Sequence, residues 1–162
     1  MTAPSEPGLA VVRATTTSEL ADVKALFLEY AQSLSFSLCF QNFDQEVASL
    51  PGAYAPPSGC LLLAREGGVA AGCIAFRDSR NRICEMKRLY VRPAFRGRAL
   101  GELLVTRLIA EARHSGYGRM RLDTVSSSMQ SAIHLYRRLG FLEVPPYYDN
   151  PIEGALYLER AL

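Results

Sequence analysis

Apolar positions recur along this chain with two different periods, and the switches between them divide it into elements. Leu20, Val23, Leu26, Phe27 and Tyr30 fall on one face of a helix over residues 19–33, with Thr17 or Ser18 placed to cap its start. Leu104, Val105, Leu108, Ile109 and Ala112 mark a second long helix over 101–115. Residues 60–65 and 69–77 are apolar runs around Glu66-Gly67-Gly68, which reads as a hairpin. Shorter apolar stretches at 9–14, 83–91, 119–125, 141–144 and 155–159 predict strands. Shorter helices are predicted over 43–50, stopped by Pro51-Gly52, and over 129–139, where Ser126-Ser127-Ser128 offers a cap. The order is strand, two helices, three strands, helix, strand, helix, two strands. It predicts an α/β fold, with a mixed sheet of about six to seven strands flanked by about four helices, and not a β-sandwich.

Composition narrows the class. At 162 residues, 49% of them hydrophobic and 21% charged, the chain fits one soluble globular domain over 9–162, preceded by a short disordered lead over 1–8. No apolar run approaches a membrane span, and the first residues lack the basic start and apolar core of a signal peptide, so a cytoplasmic protein without a membrane partner is expected. Cys39, Cys60, Cys73 and Cys84 show no C-x-x-C spacing, and His114 and His134 lie far from them, so no metal site and reduced thiols are expected. Sixteen arginines against two lysines suggest a GC-rich, bacterial genome. Charge is unevenly spread: residues 77–138 hold fourteen of the eighteen basic residues against five acids. That basic stretch suits a phosphorylated ligand. It could also serve nucleic acid, but no stacking aromatics interleave with it, and no nucleic-acid partner is expected.

The centre of that stretch carries the chemistry. Val91-Arg-Pro-Ala-Phe-Arg-Gly-Arg-Ala-Leu-Gly101 joins a predicted strand to a predicted helix. Small residues there leave backbone N–H groups converging on the positive end of the helix, and two arginines add charge-assisted bonds to an anion. The P-loop ending Gly-Lys-Ser/Thr is absent, and so is G-x-G-x-x-G. The segment resembles motif A of the GNAT superfamily of acyl-CoA-dependent N-acyltransferases, Val-x-Pro-x-x-Arg-Gly-x-Gly-x-Gly, with Val91, Pro93, Arg96, Gly97 and Gly101 in place. Ala99 stands where that family usually has glycine, a departure costing about 1–2 kcal/mol if the position requires a left-handed backbone. Downstream, Ala132-Ile-His-Leu-Tyr-Arg-Arg-Leu-Gly-Phe141 is similar to the family's second signature, and the resemblance extends over roughly residues 9–162.

The resemblance implies a GNAT fold and an acetyl-CoA-dependent N-acetyltransferase that acts by direct attack in a ternary complex, with acetyl-CoA as co-substrate. The backbone of Leu89, Tyr90 and Val91 would hold the pantetheine and polarise the thioester, and the N–H groups of Arg96, Gly97, Arg98, Ala99, Leu100 and Gly101 would hold the pyrophosphate. Tyr136 would protonate the leaving thiolate, unless it only packs against the cofactor. Glu85, six residues before Val91 and flanked by Cys84 and Met86, would be raised in pKa by desolvation and act as base. It could instead be paired with a neighbouring base, and many family members deprotonate the amine through ordered water. Phe36 and Phe40 on one segment, and Tyr147 and Asp149 on another, would border the acceptor, a small-molecule amine. A catalytically inactive acyl-CoA-binding regulatory module is the rival reading, and a homodimer pairing along an edge strand such as 155–159 is a possibility.

Overall fold

A computed structural model describes residues 8–126 and 129–162; the expected lead over 1–8 falls outside them but for Gly8, as do two of the three serines expected to cap the 129–139 helix. The elements are β1 (Leu9–Arg13), α1 (Thr17–Ser33), α2 (Phe43–Ala48), β2 (Cys60–Glu66), β3 (Val69–Asp78), β4 (Ile83–Val91), α3 (Leu100–His114), β5 (Arg119–Val125), α4 (Gln130–Arg138), β6 (Leu142–Glu143) and β7 (Ala155–Ala161). Short 3₁₀ turns at Cys39–Gln41, Gly52–Tyr54 and Pro93–Phe95 add to the expected set. The seven strands form one mixed sheet in the order β1-β2-β3-β4-β5-β7-β6. Every neighbouring pair is antiparallel except β4–β5. Strand β7 therefore sits inside the sheet between β5 and β6, which corrects its expected place at an edge open to a second subunit. Among the described residues no helix is long and apolar enough to cross a membrane.

The sheet is covered on both faces, which is why β2 and β3 read as continuous apolar runs and not as alternating ones. Leu62, Ala64, Ile74 and Phe76 pack against Leu104, Val105 and Leu108 of α3. Their alternates Leu61, Leu63, Cys73 and Ala75 pack against Val23, Leu26 and Phe27 of α1. The cap of helix α1 is Thr16, one residue before Thr17 and two before Ser18, the expected caps. Thr16 accepts from Glu19 N at 3.2 Å, and Glu19 accepts from Thr16 N at 3.0 Å, a reciprocal capping box.

Two irregularities in the centre of the sheet make room for a site. Strands β4 and β5 pair only at Ile83–Arg119, Cys84–Met120 and Glu85–Arg121, and then diverge. Past that point β5 pairs on with β7 up to Val125–Ala155, while β4 stays on β3 up to Val91–Gly72. The second irregularity is a bulge on β4. The register shifts between Cys73–Tyr90 and Ala75–Lys87, so two residues, Arg88 and Leu89, oppose Ile74, and Arg88 takes φ 63°.

Candidate active site

The divergence of β4 from β5 opens a cleft of about 860 Å³ that runs from the loop before α3, past Leu89–Val91, to a chamber under the segment between α1 and α2. Because β3 occupies one side of β4, the N–H and C=O groups on its other side lose their β5 partners where the strands separate, and they face the cleft. Leu89, Tyr90 and Val91 line it as expected.

At the entrance, the chain leaves β4 through the Pro93–Phe95 turn and enters α3 by two left-handed residues, Gly97 at φ 81° and Ala99 at φ 58°. Ala99 is thus the left-handed alanine that the sequence raised as a cost. Arg96 is a correction to the expected set, because its N–H already donates to Pro93 O at 3.3 Å. Among the described residues the next N–H to find a backbone carbonyl is that of Leu103, which donates to Ala99 O at 3.1 Å, so the N–H groups from Gly97 to Glu102 are free for an anion. Arg96, Gly97, Ala99, Leu100 and Gly101 line the cleft. Arg96 donates to Val91 O at 2.9 Å, and its guanidinium lies 5.9 Å from the Tyr90 ring centre. Arg98 is a correction: its side chain turns away from the cleft to Glu66 at 2.7 Å, so only its backbone remains with the loop. Arg138 of α4 lines the cleft instead and meets Glu102 at 3.0 Å, a contribution from a different element that the loop motif could not disclose.

Tyr136 is where the second signature placed it, buried on α4 with its ring in the cleft wall. The local sequence explains its position. Gly140 at φ 92° ends the helix, and the turn returns Phe141 N to Tyr136 O at 3.0 Å and sets the two rings edge to face at 5.8 Å. Burial, with Tyr30 and Asp123 adding to it, pushes the Tyr136 phenol well above its ordinary value of 10, so it carries a proton at neutral pH.

Glu85 does not take the state expected of a base. Burial alone would raise its carboxyl, but Lys87, Arg77 and the Tyr147 hydroxyl together hold it below the usual carboxylate range. It accepts from Arg77 Nε at 2.9 Å and Tyr147 OH at 2.8 Å, and it is not part of the cleft lining. The expected rise in its pKa fails because two cations, on β3 and β4, are turned toward the same face. Tyr147 and Asp149 also lie off the cleft lining: Tyr147 is tied to Glu85 and stacked with the Arg121 guanidinium at 3.9 Å, and Asp149 is exposed. Phe36 and Phe40 do line the chamber.

The chamber's polar groups were missed from sequence. Gln41, Lys87, Arg88, Asp123 and Asn150 all face it. Arg88 meets Glu46 with two bonds, at 2.9 and 3.0 Å, and lies 5.1 Å from the Phe43 ring centre. Gln41 Oε1 accepts from Lys87 Nζ at 3.2 Å and Arg88 Nη1 at 2.7 Å, while Gln41 Nε2 donates to Tyr148 OH at 3.0 Å. Asp123 accepts from Tyr148 OH and, at 2.8 Å, from Asn150 Nδ2. The available signal was alternation: Lys87 and Asp123 each sit two residues beyond the last β4–β5 pair, on the face that Glu85 and Arg121 share.

The same architecture recurs among known proteins. Residues 21–141 match the sequence model of the acetyltransferase (GNAT) family. An uncharacterized N-acetyltransferase of Schizosaccharomyces pombe is 42% identical over 98% of this chain and 96% of its own length. Among solved structures, an acetyltransferase of the GNAT family from Staphylococcus aureus superposes with a TM-score of 0.78 at 16% identity, covering 95% of this chain and 99% of that one. A PaiA N-acetyltransferase from Thermoplasma acidophilum, solved in complex with coenzyme A, gives a TM-score of 0.72 at 13% identity, with coverage of 96% and 99%. The relatives thus span yeast, bacteria and archaea, and do not tie the chain to a bacterial source. With the mixed seven-stranded sheet, the divergence of β4 from β5 and the loop of free N–H groups all in place, this chain belongs to the acetyltransferase (GNAT) family.

Proposed function

We infer that the chain transfers an acetyl group from acetyl-CoA to the primary amine of a small molecule, by direct attack while both are bound. The observation that carries this reading is the continuity of one cleft from free N–H groups, along an unpaired strand edge, to a protonated phenol. The N–H groups of Gly97–Gly101 and the dipole of α3 suit the pyrophosphate. The free edge of β4 suits the pantetheine amides and the thioester oxygen. The amine nitrogen attacks the carbonyl carbon; the new C–N bond forms as C–S breaks; sulfur leaves as a thiol with the Tyr136 proton. The proton that the amine sheds restores the phenol through water, a role that needs no Glu85. Direct transfer also suits the thiols: among the described residues no cysteine lines the cleft, and burial pushes Cys84 up to about 12. Four free cysteines, three of them buried, suit the reducing cytoplasm. The acceptor chamber lies between α1, α2 and the sheet, and it suits a small amine better than a folded protein surface.

Tyr136→Phe tests the chemistry. Acetyl-CoA affinity by calorimetry is expected to stay near wild type while single-turnover transfer falls by about 10²–10⁴. Unchanged transfer would remove the acid role. Gly101→Glu adds a negative charge to the cleft wall and is expected to abolish acetyl-CoA binding. A wild-type chain that binds acetyl-CoA and acetylates no amine would be the regulatory module instead.

A further inference from the structure

The geometry points to a divided charge site in the acceptor chamber, in which Asp123 takes the ammonium and Lys87 the carboxylate of one and the same acceptor. The acceptor class is then the amino acids and amines built like them. This assignment rests on the transferase reading for the fate of the amine, but it stands on separate groups.

Lys87 is only 4% exposed, and it is not among the cations that the nine ion pairs of the described residues contain. Two nearby acids make their ion pairs with other cations: Glu85, two residues earlier on β4 and close enough to feel the Lys87 charge, meets Arg77 at 2.8 Å, and Glu46 of α2 meets Arg88 at 2.9 Å. Its ammonium meets a neutral amide oxygen, that of Gln41, at 3.2 Å. Asp123 is in the mirror situation. Its partners, the Tyr148 hydroxyl and the Asn150 amide, are neutral, and both bind Oδ2. The cation nearest it along the strand, Arg121, is held elsewhere by Ser79 and the Tyr147 ring.

The two opposite charges have not collapsed onto each other. Gln41 and Tyr148 stand between them as a neutral relay: Lys87 donates to Gln41, Gln41 to Tyr148 at 3.0 Å, and Tyr148 to Asp123. Holding a buried cation and a carboxylate apart costs desolvation at both. A ligand carrying both complementary charges recovers that cost in one binding event, whereas a simple amine leaves Lys87 unpaired. Both residues line the same chamber as Phe36 and Phe40, whose rings offer an apolar surface to a side chain.

The test measures thiol release from acetyl-CoA with matched triads. Each triad comprises one of the twenty standard L-amino acids, its amide and its decarboxylated amine, for example L-leucine, L-leucinamide and 3-methylbutylamine. For the amino acids that the chamber accepts, kcat/KM is expected to exceed that of the amide and the amine on the order of 100-fold. Lys87→Met is expected to erase that preference with acetyl-CoA affinity unchanged, Lys87→Arg to keep it, and Asp123→Asn to raise KM for all three members. Amides or simple amines used as well as the acids, or a preference that survives Lys87→Met, would overturn the assignment and leave the transferase reading standing. The wild-type ratios decide the matter even if Lys87→Met fails to fold. If wild-type protein releases no thiol with any amine, the transferase reading fails, and calorimetry of the amino acids into CoA-loaded protein decides the site: heat lost in Lys87→Met upholds it, and no heat across the panel overturns it.

Discussion

Glu85 and Tyr136 are both buried, and their surroundings set them to opposite protonation states. Tyr136 faces no cation and keeps its proton; Glu85 sits among Arg77, Lys87 and Tyr147 and gives its proton up. The folded pKa of Glu85 lies below the 4.5 of an ordinary glutamate, so its ionised form stabilises the fold above pH 4.5, and that contribution is lost as pH falls through the folded value. Thermal denaturation of wild type is therefore expected to drop more steeply below pH 4.5 than that of Glu85→Gln, with the variant keeping most of its turnover. Parallel pH profiles would remove Glu85 from the stability account, and lost turnover in a folded variant would return it to the chemistry. Tyr136 was legible in the sequence because its setting is local, a helix closing on Gly140-Phe141. The state of Glu85 was not, because its hydroxyl partner lies 62 residues away. Ala99 falls between the two: the motif marked the position, but only the backbone, at φ 58°, shows that alanine bears the left-handed conformation.

At the scale of elements, β4 does most to shape the site, and a residue on β3 holds it in place. Gly72 lies opposite Val91, and a Cβ there would come within 2.6 Å of the Tyr90 carbonyl oxygen. Gly72→Ala must push β4 toward the cleft or push β3 away from it. The substitution is expected to cost about 1–3 kcal/mol in chemical denaturation, the range for overpacking a well-filled core. It is also expected to weaken acetyl-CoA binding, because Tyr90 and Val91 line the cleft. Lost stability with intact affinity would show that β3 gives way instead. Hydrophobic periodicity found β4 and β5 at their observed bounds, β5 because buried Met120 and Leu122 alternate with the more exposed Arg119, Arg121 and Asp123. It could not find the Arg88 bulge or the point at which β4 and β5 part, because both are relations between strands far apart in sequence. The chamber's charged groups were hidden for the same reason: Lys87 and Asp123 become neighbours only once the register is known.

For the whole molecule, the uneven charge of the sequence turns out to be complementary in space. Four arginines of the basic stretch, Arg88, Arg92, Arg98 and Arg119, pair with Glu46, Glu29, Glu66 and Glu159, all from outside it. The basic stretch is thus partly neutralised by its own fold, which weakens the case for a nucleic-acid partner. The three paired positions between β4 and β5 carry a further consequence. They make that junction the shortest seam in the interior of the sheet, with β1–β4 to one side and β5–β7 to the other. Acetyl-CoA held in the divergence is expected to slow hydrogen exchange at Met86–Val91, Gly97–Glu102 and Leu122–Val125 together; protection confined to the loop would place the cofactor outside the strands. On the proposed binding mode, a cofactor seated there would substitute for rungs the sheet lacks, and would be scaffolding as well as reagent for as long as it stays. Each catalytic cycle would then staple and unstaple the two sides of the sheet, leaving the molecule freest to breathe when product has gone and fresh cofactor has not arrived.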